Sequence, residues 1–130
     1  MSFDWNEYFL LAKELSGDSD SVGNEEAKMR SAISRAYYSV LIQARTKISE
    51  LTGKSYPKQK NTHAWTIGNY ISYVNRQDSR TAEKIHEDLK RLLDQRKMAD
   101  YENDIENLEK ELKSALITAE KLIENINKLK

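Results

Sequence analysis

The sequence predicts an all-helical protein, an antiparallel bundle of four to five helices, and three observations support this fold class. The 130 residues include only 4 glycines and 1 proline, too few to separate the many short strands of a β-protein. Charged residues make up 32% and hydrophobic residues 38%, which is typical of helices with one apolar stripe. Apolar residues also recur at intervals of three and four. A chain of this length fits one domain spanning residues 1–130.

The apolar spacing places five helices, with polar segments between them. We expect them at about residues 3–15, 25–51, 62–74, 79–98 and 104–129. Asn61 or Thr62 is expected to cap the third helix, and Asp78 or Ser79 the fourth. The predicted inward-facing residues of the first four helices are, in order, Trp5, Tyr8, Phe9, Ala12 and Leu15; Ile33, Tyr37, Val40, Ala44, Ile48 and Leu51; Ala64, Ile67, Ile71 and Val74; and Ala82, Ile85, Leu89 and Leu92.

The last predicted helix carries a heptad seam, because its apolar positions alternate in steps of three and four. Such a seam belongs either to a bundle helix packed on its neighbours or to a helix that also pairs with a second chain. The second helix has a further face of mixed character, which another helix, a second subunit or a ligand would cover. The seam comprises Ile105, Leu108, Leu112, Ala115, Ala119, Leu122, Ile126 and Leu129, and the further face comprises Ser31, Arg35, Tyr38, Ile42, Arg45 and Ser49.

Composition excludes several classes of function. Lysine plus arginine equal aspartate plus glutamate at 21 each, so any contact with nucleic acid must be local. The absence of cysteine excludes a disulfide framework and a thiolate site, and it fits a reducing cytoplasm. No cluster of histidines and carboxylates has metal-ligand spacing, and we expect no metal and no cofactor. We expect no signal peptide, and no apolar run reaches the ~20 residues of a membrane span.

Arg96 is the most informative residue for chemistry, because it extends the apolar stripe of the fourth helix by one turn. A guanidinium on an apolar face needs an anionic partner, since an unpaired buried charge is costly. Asp100, four residues on, is the nearest candidate. Arg96 is therefore either half of a structural Arg–Asp pair or a phosphate-facing arginine. The two histidines, His63 at a helix start and His86 in mid-helix, are expected to be surface or structural residues.

Three segments resemble the HEPN family in its bacterial and archaeal single-domain form. The first, residues 30–40, reads Arg-Ser-Ala-Ile-Ser-Arg-Ala-Tyr-Tyr-Ser-Val and is similar to the family's arginine and double-tyrosine signature on a long helix. The second is Thr62-His63 at the start of a helix. The third, residues 92–101, ends in Arg-Lys-Met-Ala-Asp-Tyr. The order and spacing of these segments agree with the family over nearly the whole chain.

The resemblance implies a helical bundle that commonly dimerises. Many HEPN proteins are metal-independent ribonucleases that act as toxins or in phage defence, often beside a small nucleotidyltransferase antitoxin. Their active motif is an arginine, four to six residues and a histidine, in which histidine moves protons and arginine holds the phosphate. Here Arg96 is present, but Tyr101 stands where a histidine would follow. Arg80 and His86 match the spacing formally, and His63 is the other histidine that the fold could bring to Arg96.

We therefore expect a cytoplasmic HEPN module of a defence or toxin–antitoxin system, which binds RNA, a nucleotide or a partner protein through a degenerate ribonuclease motif. One alternative is an active metal-independent ribonuclease, and another is a purely structural oligomeric protein. We also expect a homodimer, with a nucleotidyltransferase-type protein as a further partner. The predicted ligand-binding residues are Arg35, Tyr38, Arg96, Asp100 and Tyr101, and the candidate catalytic residues are Arg96 with His63, or Arg80 with His86.

Overall fold

The described part of the chain consists of helices and their connections, which confirms the predicted fold class. A computed structural model describes residues 6–17, 25–58 and 62–130, without the side chains of residue 8 and residues 15–17. Within these ranges there is no strand. Predictions for Trp5, Tyr8, Leu15 and Asn61 concern parts of the chain outside the description. The five helices are α1 (Asn6–Gly17), α2 (Glu25–Thr52), α3 (Thr62–Gln77), α4 (Ser79–Tyr101) and α5 (Leu108–Lys128).

The longest helix, α2, lies at the centre of the bundle and contacts each of the other four helices. Near its start, Arg30 donates a hydrogen bond to the carbonyl of Ala99 near the end of α4. Further along α2, Tyr38 contacts Arg96, which lies earlier on α4. The two helices therefore run antiparallel, and the first half of α2 packs against the last half of α4.

The core is formed by the stripes that the sequence predicts for α1, α2 and α4. Leu92 on α4 is fully buried, and truncating such a leucine to alanine typically costs about 2–5 kcal/mol. These stripes hold the facing surfaces of the helices in fixed positions. Their buried residues are Phe9 and Ala12; Ile33, Tyr37, Val40, Ala44 and Ile48; and Ala82, Ile85, Leu89 and Leu92.

Helix α3 differs from the prediction in the face that it buries. Thr66 and Tyr70 are buried together with Val74, whereas Ala64 is exposed and the two predicted isoleucines are half-buried. Burying the Tyr70 ring removes much more apolar surface from water than burying an alanine methyl group. The helix therefore turns its aromatic side inward, and this rotation matters for the position of its first residues.

The connections around α4 follow local side-chain chemistry. Asp78 caps the start of α4, because its carboxylate accepts hydrogen bonds from the backbone N–H groups of Arg80 and Thr81. Beyond the end of α4, Asn107 adopts a left-handed backbone conformation with φ of 53°. Asparagine tolerates this conformation better than most residues, and it interrupts the helical run. Helix α5 therefore begins at Leu108 rather than at Asp104 as predicted.

The heptad seam of α5 is used inside the chain. Its six central residues are buried, and Ile105 and Leu129 at its ends pack partly against the core. A second chain would therefore have to contact other residues, such as Ile117, which is 60% exposed. No helix in the described ranges combines the length and the apolar character needed to cross a membrane.

Candidate anion-binding site

Two adjacent tyrosines of α2 begin the site. Tyr37 is fully buried, while Tyr38, about 100° further round the helix, is half-buried. Their ring centroids lie 5.4 Å apart, and the rings meet edge to face at 75°. The pair therefore links the core of the bundle to its surface at the level where α3 and α4 approach α2.

His63, the second residue of α3, packs into this tyrosine pair. Its Nδ1 atom lies 2.9 Å from the hydroxyl oxygen of Tyr37, within hydrogen-bond distance. The imidazole stacks on the Tyr37 ring at 5.6 Å and meets the Tyr38 ring edge to face at 5.7 Å. These contacts fix the orientation of the imidazole whichever nitrogen carries its proton. The rotation of α3 that buries Thr66 and Tyr70 also directs His63 toward α2.

Arg96 approaches the same tyrosines from α4. Its side chain is 15% exposed, and its Nη2 atom donates a hydrogen bond of 2.7 Å to the Tyr38 hydroxyl. Its Nε atom lies 2.8 Å from Oδ2 of Asp100, as the sequence suggested, but the N–H is not directed at that oxygen. The contact is therefore an ion pair without a well-aligned hydrogen bond. The guanidinium carbon lies 5.1 Å from the Tyr38 ring centroid and 5.8 Å from that of Tyr101.

The positive charge of Arg96 affects the pKa of both His63 and Tyr37. Burial lowers the pKa of His63 below its ordinary value of 6.5, and the positive charge of Arg96 lowers it further. Burial also raises the pKa of Tyr37 to about 12, against the opposing effect of Arg96, while Tyr38 adds to the rise. At neutral pH the site therefore contains one fixed positive charge, one carboxylate, a neutral imidazole and a protonated Tyr37.

Of the remaining candidates from the sequence, Tyr101 lies at the edge of the site and the others lie elsewhere. Arg35 is half-buried and donates a hydrogen bond to Ser31 of its own helix. Tyr101, whose ring lies beside Arg96, is 72% exposed at the end of α4. Arg80 and His86 are both exposed in the first half of α4. Because the two residues are six positions apart on the helix, with five residues between them, their side chains point about 120° apart, and the structure does not bring them together.

Arg30 is a residue of this region that the sequence did not single out beyond its place in the tyrosine segment. Its guanidinium donates hydrogen bonds to three carbonyl oxygens at the end of α4, those of Ala99, Glu102 and Asn103, at 3.0, 2.6 and 3.0 Å. A cation at a helix C-terminus satisfies carbonyl groups that have no partner within the helix. Arg30 thus fixes the end of α4 that carries Arg96 and Asp100. No pattern in the sequence connects two positions so far apart.

A groove of about 640 Å³ opens beside Arg96 and Tyr101. Four carboxylates and one lysine, Lys97, also line it, so negative charge exceeds positive charge there and disfavours an anion. An anionic ligand would therefore reach the guanidinium from the side of α2 and α3. The four carboxylates are those of Asp94, Glu102, Asp104 and Glu106.

The side chains of the site have groups that can bind an anion and accept or donate a proton. Among the described residues, no group of three or more histidine, aspartate or glutamate side chains is placed to hold a metal ion. Arg96 has five N–H donors, and the contacts to Tyr38 and Asp100 involve two of its three nitrogens. The guanidinium therefore retains donors for a phosphate oxygen.

Comparison with known proteins identifies the family. The family model of the HEPN domain matches residues 21–129, which is most of the chain. Searches of curated proteins and of solved structures found no significant match. The matched range contains both tyrosines, His63 and Arg96, so the site lies within the shared part of the sequence. The chain therefore belongs to the HEPN domain family.

Proposed function

We propose that this chain is an RNA-binding HEPN module in which the guanidinium of Arg96 binds a phosphate group of the ligand. The observation that carries the proposal is the position of Arg96, which is largely buried among tyrosines and, within the described part of the chain, forms an ion pair with one carboxylate. A guanidinium in such a place binds phosphate more strongly than a solvated one, because the surrounding dielectric is lower. Membership of the HEPN family supports RNA as the source of that phosphate.

Two neighbours of Arg96 suit a nucleic-acid ligand. Tyr101 exposes 72% of its surface next to the guanidinium, and because its ring also lines the acidic groove, it would stack on an uncharged base rather than lie beside a phosphate. His63 lies on the other side of Tyr38, and a bound phosphate would favour its protonated form. RNA binding should therefore tighten as the pH falls below 7.

The test is the affinity for a labelled single-stranded RNA, measured by fluorescence anisotropy at low salt with EDTA present. Arg96→Gln should weaken binding by roughly ten- to a hundredfold and reduce the dependence on salt by about one released counterion. The matched control is Arg80→Gln, which removes an exposed arginine from the same helix and should change the affinity less than about twofold. Equal affinities for the two variants would contradict the proposal.

A second candidate function, metal-independent RNA cleavage, is favoured by one observation. His63 shares the tyrosine pair with Arg96, so a general base and a phosphate-holding group lie in one site. Neutral His63 would accept the proton of a 2′-hydroxyl as it attacks its phosphate, and Arg96 would stabilise the negative charge that develops. Protonated His63 would then return the proton to the leaving 5′-oxygen.

We nevertheless expect weak or no cleavage by the isolated protein. A single histidine would have to serve as both base and acid, and Tyr37, with a pKa of about 12, stays protonated at neutral pH. The check is incubation with total RNA in EDTA, followed by gel analysis. Robust cleavage that disappears in both Arg96→Ala and His63→Ala would make the chain an enzyme.

We also propose that the protein is a cytoplasmic homodimer that belongs to a defence or toxin–antitoxin system, with a nucleotidyltransferase-type partner. The family supports this, since HEPN domains commonly dimerise. Because the α5 seam is buried within the chain, the dimer contact must use another surface. Light scattering that gives the mass of one chain would contradict the dimer, and the neighbouring gene would test the partner.

A further inference from the structure

The zero net charge of the chain conceals a strong separation of charge along the sequence. Residues 27–77 contain nine lysines and arginines and one carboxylate, that of Glu50. The rest of the chain carries an equal excess of negative charge. The basic part comprises nearly all of α2, the connection to α3 and α3 itself. An anionic partner would therefore be attracted to this side of the bundle and repelled from the other.

Within this basic part, a second cluster of a cation and aromatic rings lies on the same face of α2 as Tyr38. Arg45 follows Tyr38 by seven residues, which places it on the same stripe about 10 Å further along the helix. Its guanidinium carbon lies 4.2 Å from the centroid of the Tyr56 ring, and Trp65 meets that ring edge to face at 6.4 Å. We call Arg45, Tyr56 and Trp65 the Arg45 platform.

The platform has features that its role in packing does not account for. In the described ranges no carboxylate forms a salt bridge with Arg45, and its buried Nε atom has no hydrogen-bond partner. All three side chains are half-buried, so each keeps part of its surface accessible. Two exposed lysines of the adjoining connection, Lys54 and Lys58, add positive charge nearby. An unpaired, stacked guanidinium beside two aromatic rings can hold a flat, electron-rich group next to a phosphate.

The connection that carries Tyr56 is held in place by local hydrogen bonds. Ser49 donates to the carbonyl of Lys54 at 2.5 Å, and the Lys54 N–H donates to the Thr52 hydroxyl at 3.2 Å. Gly53 adopts a positive φ of 73°, which lets the chain turn sharply after α2. These contacts fix the start of the connection, and the stacking on Arg45 and the edge contact with Trp65 place the Tyr56 ring, so less ordering is needed on binding.

We propose that the Arg45 platform is a second subsite, which takes an unpaired base of the same single-stranded RNA whose phosphate is bound by Arg96. This inference rests on the proposed function, since it assigns a second contact to the RNA whose phosphate is bound by Arg96. Stacking on aromatic rings and arginine planes tolerates any base, and the excess of positive charge in residues 27–77 would attract the phosphates of the same strand. The ligand is then a short unpaired stretch of RNA lying along α2.

The aromatic rings favour RNA over an acidic protein segment as the occupant. An acidic peptide would need lysines and arginines but would gain little from Tyr56 and Trp65. A nucleobase uses both, because every base presents a flat face to a ring. The distinction can be measured, since a peptide of glutamates carries negative charge without bases.

The experiment compares three probes by anisotropy: a uridine hexamer, the same hexamer without bases, and a hexaglutamate peptide. The intact protein should bind the uridine hexamer about tenfold more tightly than the base-free one. Tyr56→Leu should remove most of this preference while leaving the base-free hexamer bound as before. Arg45→Lys, which keeps the charge but loses the flat stacking group, should have the same direction of effect. The matched control is Tyr73→Leu, which alters a half-buried tyrosine that bonds to the carbonyl of Lys130 instead.

The outcomes separate the two proposals. If Arg96→Gln weakens the uridine hexamer and Tyr56→Leu does not, the platform is rejected and the Arg96 site stands. If the intact protein binds neither hexamer, both proposals fall. If hexaglutamate binds as tightly as the uridine hexamer, the surface recognises negative charge alone. That result would also contradict the proposal that the Arg45 platform binds a base. Unchanged helicity by circular dichroism ensures that each variant is folded.

Discussion

Each half of α4 carries an arginine, and the two differ in burial: Arg80 is exposed, whereas Arg96 is largely buried. The first half carries Arg80 and His86 at the spacing of the active HEPN motif, yet both are exposed and point in different directions. The second half carries Arg96 without a histidine in the expected place. There the fold supplies an imidazole from another helix, that of His63. The comparison teaches that spacing along one helix is a weaker guide to a site than the faces of neighbouring helices.

The physical cause of the difference is the packing of α2. Its first half lies against the second half of α4 and the start of α3, so Tyr37 and Tyr38 can reach His63 and Arg96 at once. Arg80 and His86, in the first half of α4, are exposed to solvent instead. Low exposure and aromatic neighbours then make the charge of Arg96 more effective than that of Arg80.

The largest effect should come from Arg30, which holds the end of the half that carries the site. Arg30→Met removes hydrogen bonds from a charged donor to three carbonyl oxygens, and we expect the free energy of unfolding to fall by roughly 2–3 kcal/mol. Chemical denaturation followed by circular dichroism measures this. Arg80→Met at the other end of α4 serves as the control and should change stability by less than about 0.5 kcal/mol. A similar fall in the free energy of unfolding in both variants would contradict the stabilising role of Arg30 at the end of α4.

A smaller effect of opposite sign is expected from the carboxylate beside Arg96. Asp100→Asn removes a charge that competes with phosphate for the guanidinium, so RNA affinity should rise by about three- to tenfold. Stability should fall by only about 1 kcal/mol, because the ion pair is partly solvated. Calorimetric titration with RNA gives the affinity. The control is Glu83→Gln, which changes an exposed carboxylate in the first half of α4. Weaker RNA binding by Asp100→Asn would indicate that Arg96 forms only a structural ion pair with Asp100.

The smallest effect concerns pH. The pKa of His63 is lower in the folded chain than its ordinary value of 6.5, which applies to the unfolded chain. At a pH between the folded pKa and 6.5, the unfolded chain therefore binds more protons than the folded chain. The stability that neutral His63 provides is therefore complete above pH ~6.5 and is lost as the pH falls through the lowered pKa. Thermal melts from pH 7.5 to 5 should show this decline, and His63→Gln should flatten it. His86→Gln should keep the slope of the intact protein, and a slope that depends on His86 instead would contradict the placement of His63.

Most of the fold could be predicted from the sequence, because apolar periodicity determines it. The stripes of α2 and α4 and the Asp78 cap are local patterns, and the structure confirms them. The face of α3 could not be predicted in the same way, since Tyr70 and Thr66 outcompete more apolar neighbours through packing with other helices. Helix α5 begins later than predicted, at Leu108, because Asn107 has a left-handed backbone conformation. The spacing of apolar residues does not reveal this conformation.

The site was predictable in its parts but not in its arrangement. The position of Arg96 on an apolar stripe indicated a partner, and Asp100 was the expected one. Whether His63 would approach depended on the rotation of α3, which only tertiary packing decides. The contacts of Arg30 with the end of α4 join residues about seventy positions apart, beyond the reach of any local pattern. The balanced total charge indicated that any contact with nucleic acid must be local, and the basic segment at residues 27–77 agrees with that expectation.

The most direct test is an NMR titration of the two histidine imidazoles with and without single-stranded RNA. The chain has 2 histidines, so each half of α4 has its own reporter, His63 beside Arg96 and His86 in the first half. If Arg96 and His63 form one anion site, RNA should shift the His63 signal and raise its pKa, while His86 stays unchanged. Arg96→Gln should abolish the shift. An RNA-induced change at His86 with none at His63 would contradict the account.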